Sequence, residues 1–304
     1  MKLVSAFFRL IRWQNLLFIV LTQFLFYYCV YEPISNQPDI HKLLWLIAAS
    51  VLIAAAGYII NDYFDLNIDQ INKPGKNVFV RNISRRWAIV WHFLLSFLGV
   101  IATAESVGLN KWYLVLANLL CVFLLWFYST SLKRSLLIGN IVISVLTGWT
   151  ILVLFYAFTF VHNAFTASPV TIRLFRLAFL YGGFAFVLSL IREAVKDMED
   201  MEGDAKYGCK TLPIVAGIRT TKVYVTIWLV VLIGALIVLQ LYVLQFRWWL
   251  AVLYSFVFII IPLVVVFQRL VKAVQTSDFA NLSRIIKLIM FSGILSMIFF
   301  RIYF

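Results

Sequence analysis

Three aspartates with helical spacing follow the second long apolar run of the sequence. Asp62, Asp65 and Asp69 come directly after residues 43–60, which carry almost only apolar side chains. Because an α-helix turns about 100° per residue, these carboxylates would lie within roughly 60° of one another, with Asn61 on the flank of the same face. Like charges on one face repel one another, so this first acidic stripe is stable where water solvates it or cations neutralise it.

The same offsets recur in the second half of the chain. Asp197, Asp200 and Asp204 follow the apolar run at residues 174–191, and they form a second acidic stripe. Two stripes at matching positions predict a facing pair that shares divalent cations. Carboxylate and amide oxygens suit Mg²⁺, which normally completes its coordination shell with substrate phosphates. The two stripes therefore predict a diphosphate held by Mg²⁺ between them.

Basic and hydroxyl side chains near the stripes fit the same ligand. Lys133 and Tyr128 lie near the end of another apolar run, where the Tyr128 hydroxyl could donate to a phosphate oxygen. Arg192 and Lys196 precede the second stripe. Cations stabilise the charge that develops on a departing diphosphate, so this set predicts a leaving-group site. Further basic residues follow the first stripe: Lys73, Lys76 and Arg81.

Composition places these residues in a membrane protein. The chain has 304 residues, of which 63% are hydrophobic and 13% charged, and its mean hydropathy is +0.96. This balance excludes a soluble domain of this size, and roughly 20 mostly apolar residues suffice to span a bilayer. We therefore expect an all-α integral membrane protein with nine transmembrane helices. The predicted spans are residues 14–31, 43–60, 87–106, 111–128, 136–160, 174–192, 223–244, 248–268 and 284–303.

The order of spans and loops predicts an internal repeat. The stripes belong to long charged loops after the second and sixth spans, expected at residues 61–86 and 193–222. This pattern favours two four-helix repeats with a ninth helix added at the end, arranged around a central cavity. No linker or soluble domain is visible, so residues 1–304 are expected to form a single membrane-embedded domain.

The distribution of basic residues predicts the orientation in the membrane. The net charge of +13 could suggest a nucleic-acid partner, but most of the 26 basic residues fall in the N-terminal segment and after the even-numbered spans. Basic residues accumulate on the cytoplasmic side of membrane proteins. We therefore expect a multi-pass protein of a plasma or inner membrane, surrounded by membrane lipids, with the N-terminus and both stripes on the cytoplasmic side and no nucleic-acid partner.

The N-terminal segment and the cysteines could each suggest a secreted protein, but the details of the sequence argue against it. The first apolar run follows basic residues as in a signal peptide, but no small-residue cleavage site follows it, so a retained first span is expected. The three cysteines, Cys29, Cys121 and Cys209, are far apart and form no pair pattern. We expect free thiols rather than a disulfide framework.

A diphosphate bound in a membrane protein is expected to carry a lipid chain, because the apolar part can lie between helices. Aromatic residues are frequent near the stripes, and their faces could shield an allylic cation and exclude water. Most aromatic residues in a membrane protein serve packing, so only a few of these are expected at a substrate. The set comprises Tyr58, Tyr63, Phe64, Trp126, Phe127, Phe184 and Phe186.

Four motifs in the expected order resemble those of the UbiA-type intramembrane prenyltransferase superfamily. Residues 61–74 (NDYFDLNIDQINKP) resemble its first signature, and residues 192–204 (REAVKDMEDMEGD), continued by KTLP at 210–213, resemble its second. Residues 128–134 (YSTSLKR) resemble the family's tyrosine–serine–leucine–lysine loop. Residues 12–15 (RWQN) resemble the arginine and asparagine that open the first helix.

This resemblance implies Mg²⁺-dependent transfer of a polyprenyl group from its diphosphate to an acceptor nucleophile, and it assigns roles to residues by position. The implied metal ligands are Asn61, Asp62, Asp65, Asp69, Asp197, Asp200 and Asp204. Among them, the implied catalytic residues are Asn61, Asp62, Asp65, Asp197 and Asp200. The implied substrate-binding residues are Arg12, Asn15, Asp69, Lys73, Tyr128, Ser129, Lys133, Arg192, Lys196 and Asp204.

One stretch departs from the family pattern. Many members carry an Arg-Pro-Leu stretch after the first signature, whereas this chain has GKNVFVR at residues 75–81. Which of Lys76 and Arg81 contacts substrate therefore stays open.

The acceptor is less strongly specified than the donor. Residues 196–213 most resemble members that prenylate geranylgeranylglyceryl phosphate, an ether-lipid precursor, which is the acceptor we expect. Such an acceptor needs a basic contact for its own phosphate, for which Arg81, Arg85, Arg86 and Lys206 are candidates. The alternative is an aromatic acceptor of the 4-hydroxybenzoate, homogentisate or naphthoate type, as used in quinone biosynthesis.

Two other classes of function compete with the prenyltransferase interpretation. A polytopic cation transporter could use the acidic stripes as an ion path, since intramembrane carboxylates are functional by default. The stripes, however, lie at the ends of spans beside cations, where a diphosphate fits better. A structural or lipid-binding membrane protein is disfavoured because it would have no use for two stripes of mutually repelling charges.

Overall fold

The computed structural model describes residues 2–72, 85–159 and 168–303, without the side chains of residues 2–5 and 109. These residues form helices joined by short connections, and they contain no strand. The helices are α1 (Lys2–Leu10), α2 (Trp13–Ser35), α3 (Ile40–Phe64), α4 (Leu66–Asn72), α5 (Arg85–Val107), α6 (Trp112–Thr130), α7 (Ile138–Phe158), α8 (Pro169–Glu199), α9 (Met201–Lys206), α10 (Leu212–Val215), α11 (Gly217–Leu244), α12 (Trp249–Lys272) and α13 (Thr276–Tyr303).

Nine of the described helices are long and apolar enough to cross a membrane, which confirms the predicted fold class. They are α2, α3, α5, α6, α7, α8, α11, α12 and α13. Each overlaps one predicted span. All three cysteines are free and buried, as expected.

The two helices that carry the acidic stripes run further than the sequence suggested. The predicted spans end at residues 60 and 192, but α3 continues to Phe64 and α8 to Glu199. Backbone hydrogen bonds maintain the helix there, from Asp65 N to Asn61 O (2.9 Å) and from Asp200 N to Lys196 O (2.8 Å). Hydropathy marks the end of the apolar segment, whereas the helix itself ends where its hydrogen-bond ladder stops. The predicted loop boundaries were therefore wrong at these two points.

Each stripe continues from its long helix into a short one. Helix α4 follows α3, and α9 follows α8, so the same order occurs once in each half of the chain. The two short helices pack against each other, and the backbone N–H of Gly203 in α9 donates to Oδ1 of Asn72 in α4 (2.8 Å). This contact brings both stripes to the same end of the bundle.

Packing of the long helices creates a space between the two halves. Helix α8 contributes to two hydrophobic clusters, one with α2 and α7 and the other with α11, α12 and α13. Gly148 of α7 faces Gly182 of α8, and a Cβ atom on Gly148 would lie only 3.0 Å from the carbonyl oxygen of Gly182. Small residues allow helix backbones in a membrane to approach closely. These contacts fix the position of α8, the helix that leads into the second stripe.

Candidate functional site

A cavity of about 370 Å³ lies at the centre of the bundle, with walls from α2, α3, α6, α7, α8 and α13. One end holds the residues of both stripes. The other end holds apolar and aromatic side chains such as Trp149, Tyr181 and Met297. Tyr181 precedes Asp197 by sixteen residues on α8, so the two ends are about 24 Å apart along that helix. The cavity therefore joins a charged mouth to a long apolar interior.

Most residues predicted for the site line this cavity. Among the residues of the two stripes, Asn61, Asp65, Asp69, Asp197, Asp200 and Asp204 do so. Among the predicted substrate-binding residues, Arg12, Asn15, Tyr128, Lys133, Arg192 and Lys196 do so. Of the aromatic residues near the stripes, Tyr58 and Phe184 line it.

Two predicted residues have other positions, and a third lies outside the described residues. Asp62 does not line the cavity but accepts a hydrogen bond from Nη2 of Arg12, which itself lines it. Ser129 is buried and donates to the carbonyl oxygen of Leu125 (2.8 Å) within α6. Lys73 falls outside the described residues, as do Lys76 and Arg81. The predicted roles of these residues stay predictions.

The first stripe forms a connected polar group with the turn after α6. Nδ2 of Asn61 donates to Oδ2 of Asp65 (2.8 Å), and the ammonium of Lys133 forms an ion pair with Asp65. Gly139 permits the approach of this turn, because a Cβ there would lie 2.7 Å from Cα of Lys133. Burial lowers the pKa of Lys133 to about 8, and the carboxylate of Asp204 opposes that shift. Lys133 thus interacts with both stripes.

The second stripe is held by one neighbour that sequence reasoning missed, Asn140, and it lies beside the predicted residue Arg192. Nδ2 of Asn140 donates to Oδ2 of Asp197 (2.8 Å), and Nη1 of Arg192 donates to Oε1 of Glu193 (2.9 Å). Nε of Arg192 is buried and has no hydrogen-bond partner among the described residues.

Asn140 and Lys287 are cavity residues that could have been found from the sequence. Each is a polar residue within a predicted apolar span, and such residues usually face the interior of a bundle and have a function. Lys287 was instead attributed to the charge asymmetry of the loops. Neither belongs to a recognisable motif, which is why motif spacing did not identify them.

The oxygen donors at the charged mouth fit Mg²⁺ bound together with a phosphate ligand. Oδ1 of Asn61 is buried and lacks a hydrogen-bond partner within the described part of the chain. No group of three or more His, Cys, Asp or Glu side chains among the described residues is arranged to hold a metal ion by itself. Mg²⁺ is usually bound through one or two carboxylates, with phosphates and water completing the shell. The donor set is therefore suited to a metal that arrives with its substrate.

The fold and the cavity together define a class: a polytopic helical membrane protein with an apolar chamber closed at one end by facing carboxylates and cations. A profile of the UbiA prenyltransferase family matches residues 20–292 of this chain. The chain therefore belongs to the UbiA prenyltransferase family, a family of prenyl-transferring enzymes, and the predicted membership is confirmed.

Individual relatives are consistent with this assignment. A digeranylgeranylglyceryl phosphate synthase of Methanothrix thermoacetophila is 36% identical over 193 residues, which cover 64% of this chain and 66% of the relative. A solved structure of a digeranylgeranylglyceryl phosphate synthase in membranes is 25% identical with a TM-score of 0.64, over 98% of this chain and 99% of that one.

A third comparison concerns the fold alone. A UbiA homologue from Archaeoglobus fulgidus, solved with DMAPP and Mg²⁺, is 16% identical with a TM-score of 0.60, over 96% of this chain and 99% of that one. In sequence, the chain spans 55–66% of the length of three curated relatives named digeranylgeranylglyceryl phosphate synthase.

Proposed function

We propose that this protein transfers a prenyl group from a prenyl diphosphate to an acceptor nucleophile, with Mg²⁺ as cofactor, in a single membrane domain formed by residues 1–304. The observation that carries the proposal is the meeting of both acidic stripes with Lys133 at the mouth of a cavity whose interior is mainly apolar. A carboxylate-lined mouth alone would repel a diphosphate. With Mg²⁺ and the neighbouring cations present, it binds one.

The donor's diphosphate lies at the charged mouth in this proposal. Asn61, Asp65 and Asp69 from one stripe and Asp197, Asp200 and Asp204 from the other hold Mg²⁺, which neutralises the leaving group when bound. Lys133, Tyr128 and Arg192 contact the phosphate oxygens and stabilise charge as the carbon–oxygen bond breaks. The A. fulgidus homologue solved with DMAPP and Mg²⁺ supports this ligand chemistry.

The prenyl chain occupies the apolar interior. Tyr58 lines the cavity beside Arg12 at the charged end, where its aromatic face stabilises positive charge on the allylic carbon. Phe184 lines the cavity one turn along α8 from Tyr181, where it contacts the prenyl chain. The surrounding apolar walls exclude water, which would otherwise compete with the acceptor as a nucleophile.

Geranylgeranylglyceryl phosphate is the acceptor that we propose. The support comes from the synthase names of the relatives, which concern those proteins, and from the resemblance of residues 196–213. We further propose that the cavity mouth faces the cytoplasm, because of the distribution of basic residues.

The test uses purified protein, labelled geranylgeranyl diphosphate, Mg²⁺ and a panel of acceptors that includes 4-hydroxybenzoate. We expect prenylated geranylgeranylglyceryl phosphate and released diphosphate, both abolished by EDTA. Asp65→Asn and Asp197→Asn should each lower kcat by about a hundredfold or more, because each weakens charge stabilisation at the leaving group.

Glu105→Gln is the matched control, because Glu105 is exposed near the end of α5 and does not line the cavity. It should retain the turnover of the unmodified protein. Turnover that resists EDTA, or near-normal turnover of Asp197→Asn, would contradict the proposal. If 4-hydroxybenzoate were the only compound of the panel to be prenylated, the acceptor would be aromatic.

A further inference from the structure

Lys287 is a cation in the cavity wall that the chemistry at the two stripes does not use. It lies on α13, eleven residues after Thr276, or about 16 Å along the helix. It faces the cavity rather than lipid. An ionisable side chain within a membrane span is costly, and in such positions it usually serves a ligand or an ion path.

The immediate contacts of Lys287 carry no negative charge. Its ammonium donates to Oδ1 of Asn15 on α2 (2.7 Å) and lies 5.1 Å from the centre of the Phe18 ring. No described carboxylate forms an ion pair with it. Both contacts hold the ammonium in place, but neither neutralises it.

Three nearby cations repel Lys287: Arg192, Arg12 and Lys196. Arg12 pairs with Asp62 and Arg192 with Glu193, whereas Lys287 forms no ion pair among the described residues. Arg192 also lines the cavity, and its buried Nε has no partner in the described structure. A half-buried cation beside other cations is unfavourable unless an anion compensates it. This part of the wall is therefore prepared for a negatively charged ligand.

Lys287 itself takes no part in the site proposed for the donor, to which Arg192 belongs. Lys133 lies in the turn between α6 and α7, and it interacts with carboxylates of both stripes. Lys287 lies on α13, which packs against α8, and it is held by Asn15 on α2. The cavity thus offers one cation, Lys133, that pairs with a predicted metal-binding carboxylate and another, Lys287, that pairs with no carboxylate among the described residues.

We propose that Lys287, held by Asn15, binds the phosphate monoester of the lipid acceptor, so that the cavity has a second anion site beside the one for diphosphate. This inference rests on the proposed function. A phosphate monoester brings a charge of about −1.5 to −2 into the cavity and needs a cation that is not already neutralised.

The basic residues that the sequence suggested for this role are in other places. Arg85, Arg86 and Lys206 are exposed and do not line the cavity, and Arg81 falls outside the described residues.

The test compares two acceptors with the same lipid chain: geranylgeranylglyceryl phosphate and the dephosphorylated alcohol, geranylgeranylglycerol. Unmodified protein should prefer the phosphate. Lys287→Gln should lower kcat/KM for the phosphate by about ten- to a hundredfold, which corresponds to one charge-assisted hydrogen bond. It should leave kcat/KM for the alcohol and KM for geranylgeranyl diphosphate unchanged.

Two variants accompany the test. Lys287→Arg keeps the charge and should restore most of the preference for the phosphate. Arg284→Gln removes a cation one turn earlier on α13, where the side chain is exposed and does not line the cavity. It should leave kcat/KM unchanged for both acceptors. Equal thermal midpoints of all variants would show that folding is intact.

The outcomes separate this inference from the function on which it rests. If the unmodified protein prenylates neither acceptor nor any other, the proposed function fails. If it prenylates the phosphate but Lys287→Gln keeps the preference, or raises KM for the donor instead, only the second anion site is overturned. A loss of activity in Lys287→Gln that is the same with both acceptors would also overturn it.

Discussion

At the scale of single residues, the site depends on polar atoms whose requirements the protein meets only in part. Asn61 uses its amide nitrogen on Asp65 and leaves Oδ1 buried without a partner among the described residues. Lys133 pairs with Asp65 but is largely withdrawn from solvent, which lowers its pKa to about 8. Buried polar groups that lack partners are costly, and they are usually retained at sites where a ligand supplies the missing contact.

Lys133 should act mainly on the binding of the donor. Lys133→Ala removes a cation that lies between the stripes, so we expect KM for prenyl diphosphate to rise by about tenfold or more. Initial rates at varied donor concentration and saturating acceptor provide the measurement. Arg134→Ala is the control, because the adjacent Arg134 is exposed and does not line the cavity. If Lys133→Ala left KM for prenyl diphosphate unchanged, Lys133 would not bind the diphosphate.

At the scale of helices, the site depends on the contact that joins α4 to α9. Each stripe begins at the end of a long helix and continues into a short one, and the two short helices meet at Asn72 and Gly203. A Cβ atom on residue 203 would lie 2.4 Å from Oδ1 of Asn72. Only glycine allows the backbone of α9 to approach the Asn72 side chain this closely.

Gly203→Ala should therefore reduce turnover without unfolding the bundle. The added methyl group displaces Asn72, breaks its hydrogen bond and moves the stripes apart, so we expect kcat to fall by about ten- to a hundredfold. The thermal midpoint should change little, because neither Asn72 nor Gly203 belongs to a hydrophobic cluster. Gly183→Ala is the control, since a Cβ there meets open space on α8. Normal turnover of Gly203→Ala would show that the contact is not needed.

At the scale of the whole molecule, the described residues form nine long helices, six of which line the cavity, with the charged residues of the site at one end. The same end carries the basic segments from which a cytoplasmic orientation is proposed. Substrates with charged headgroups and apolar chains can then enter with the headgroup at the mouth and the chain inside the bundle.

Cysteine labelling tests this orientation. Lys206→Cys places an exposed thiol beside the second stripe, and Gln37→Cys places one in the connection between α2 and α3 at the opposite end. We expect a membrane-impermeant maleimide to label Gln37→Cys on intact cells and Lys206→Cys only after permeabilisation. The unmodified chain is the control, because its three cysteines are buried. The reverse pattern would place the site on the outer side.

The amino-acid sequence by itself determined the class of protein, the nine spans and the two stripes. These features depend on local composition and on spacing within one helix. Apolar runs of bilayer length must form helices that satisfy their own backbone hydrogen bonds, and carboxylates at offsets of three and seven residues share a face wherever one helix is continuous.

Only the tertiary structure decided which of these residues face the cavity. Asn61 and Asp65 line it while Asp62 pairs with Arg12, and Asn140 and Lys287 join from helices that carry no motif. The physical reason is that the rotation of a helix about its axis is set by packing against distant segments. In a helix that is apolar on most faces, no local pattern records that rotation.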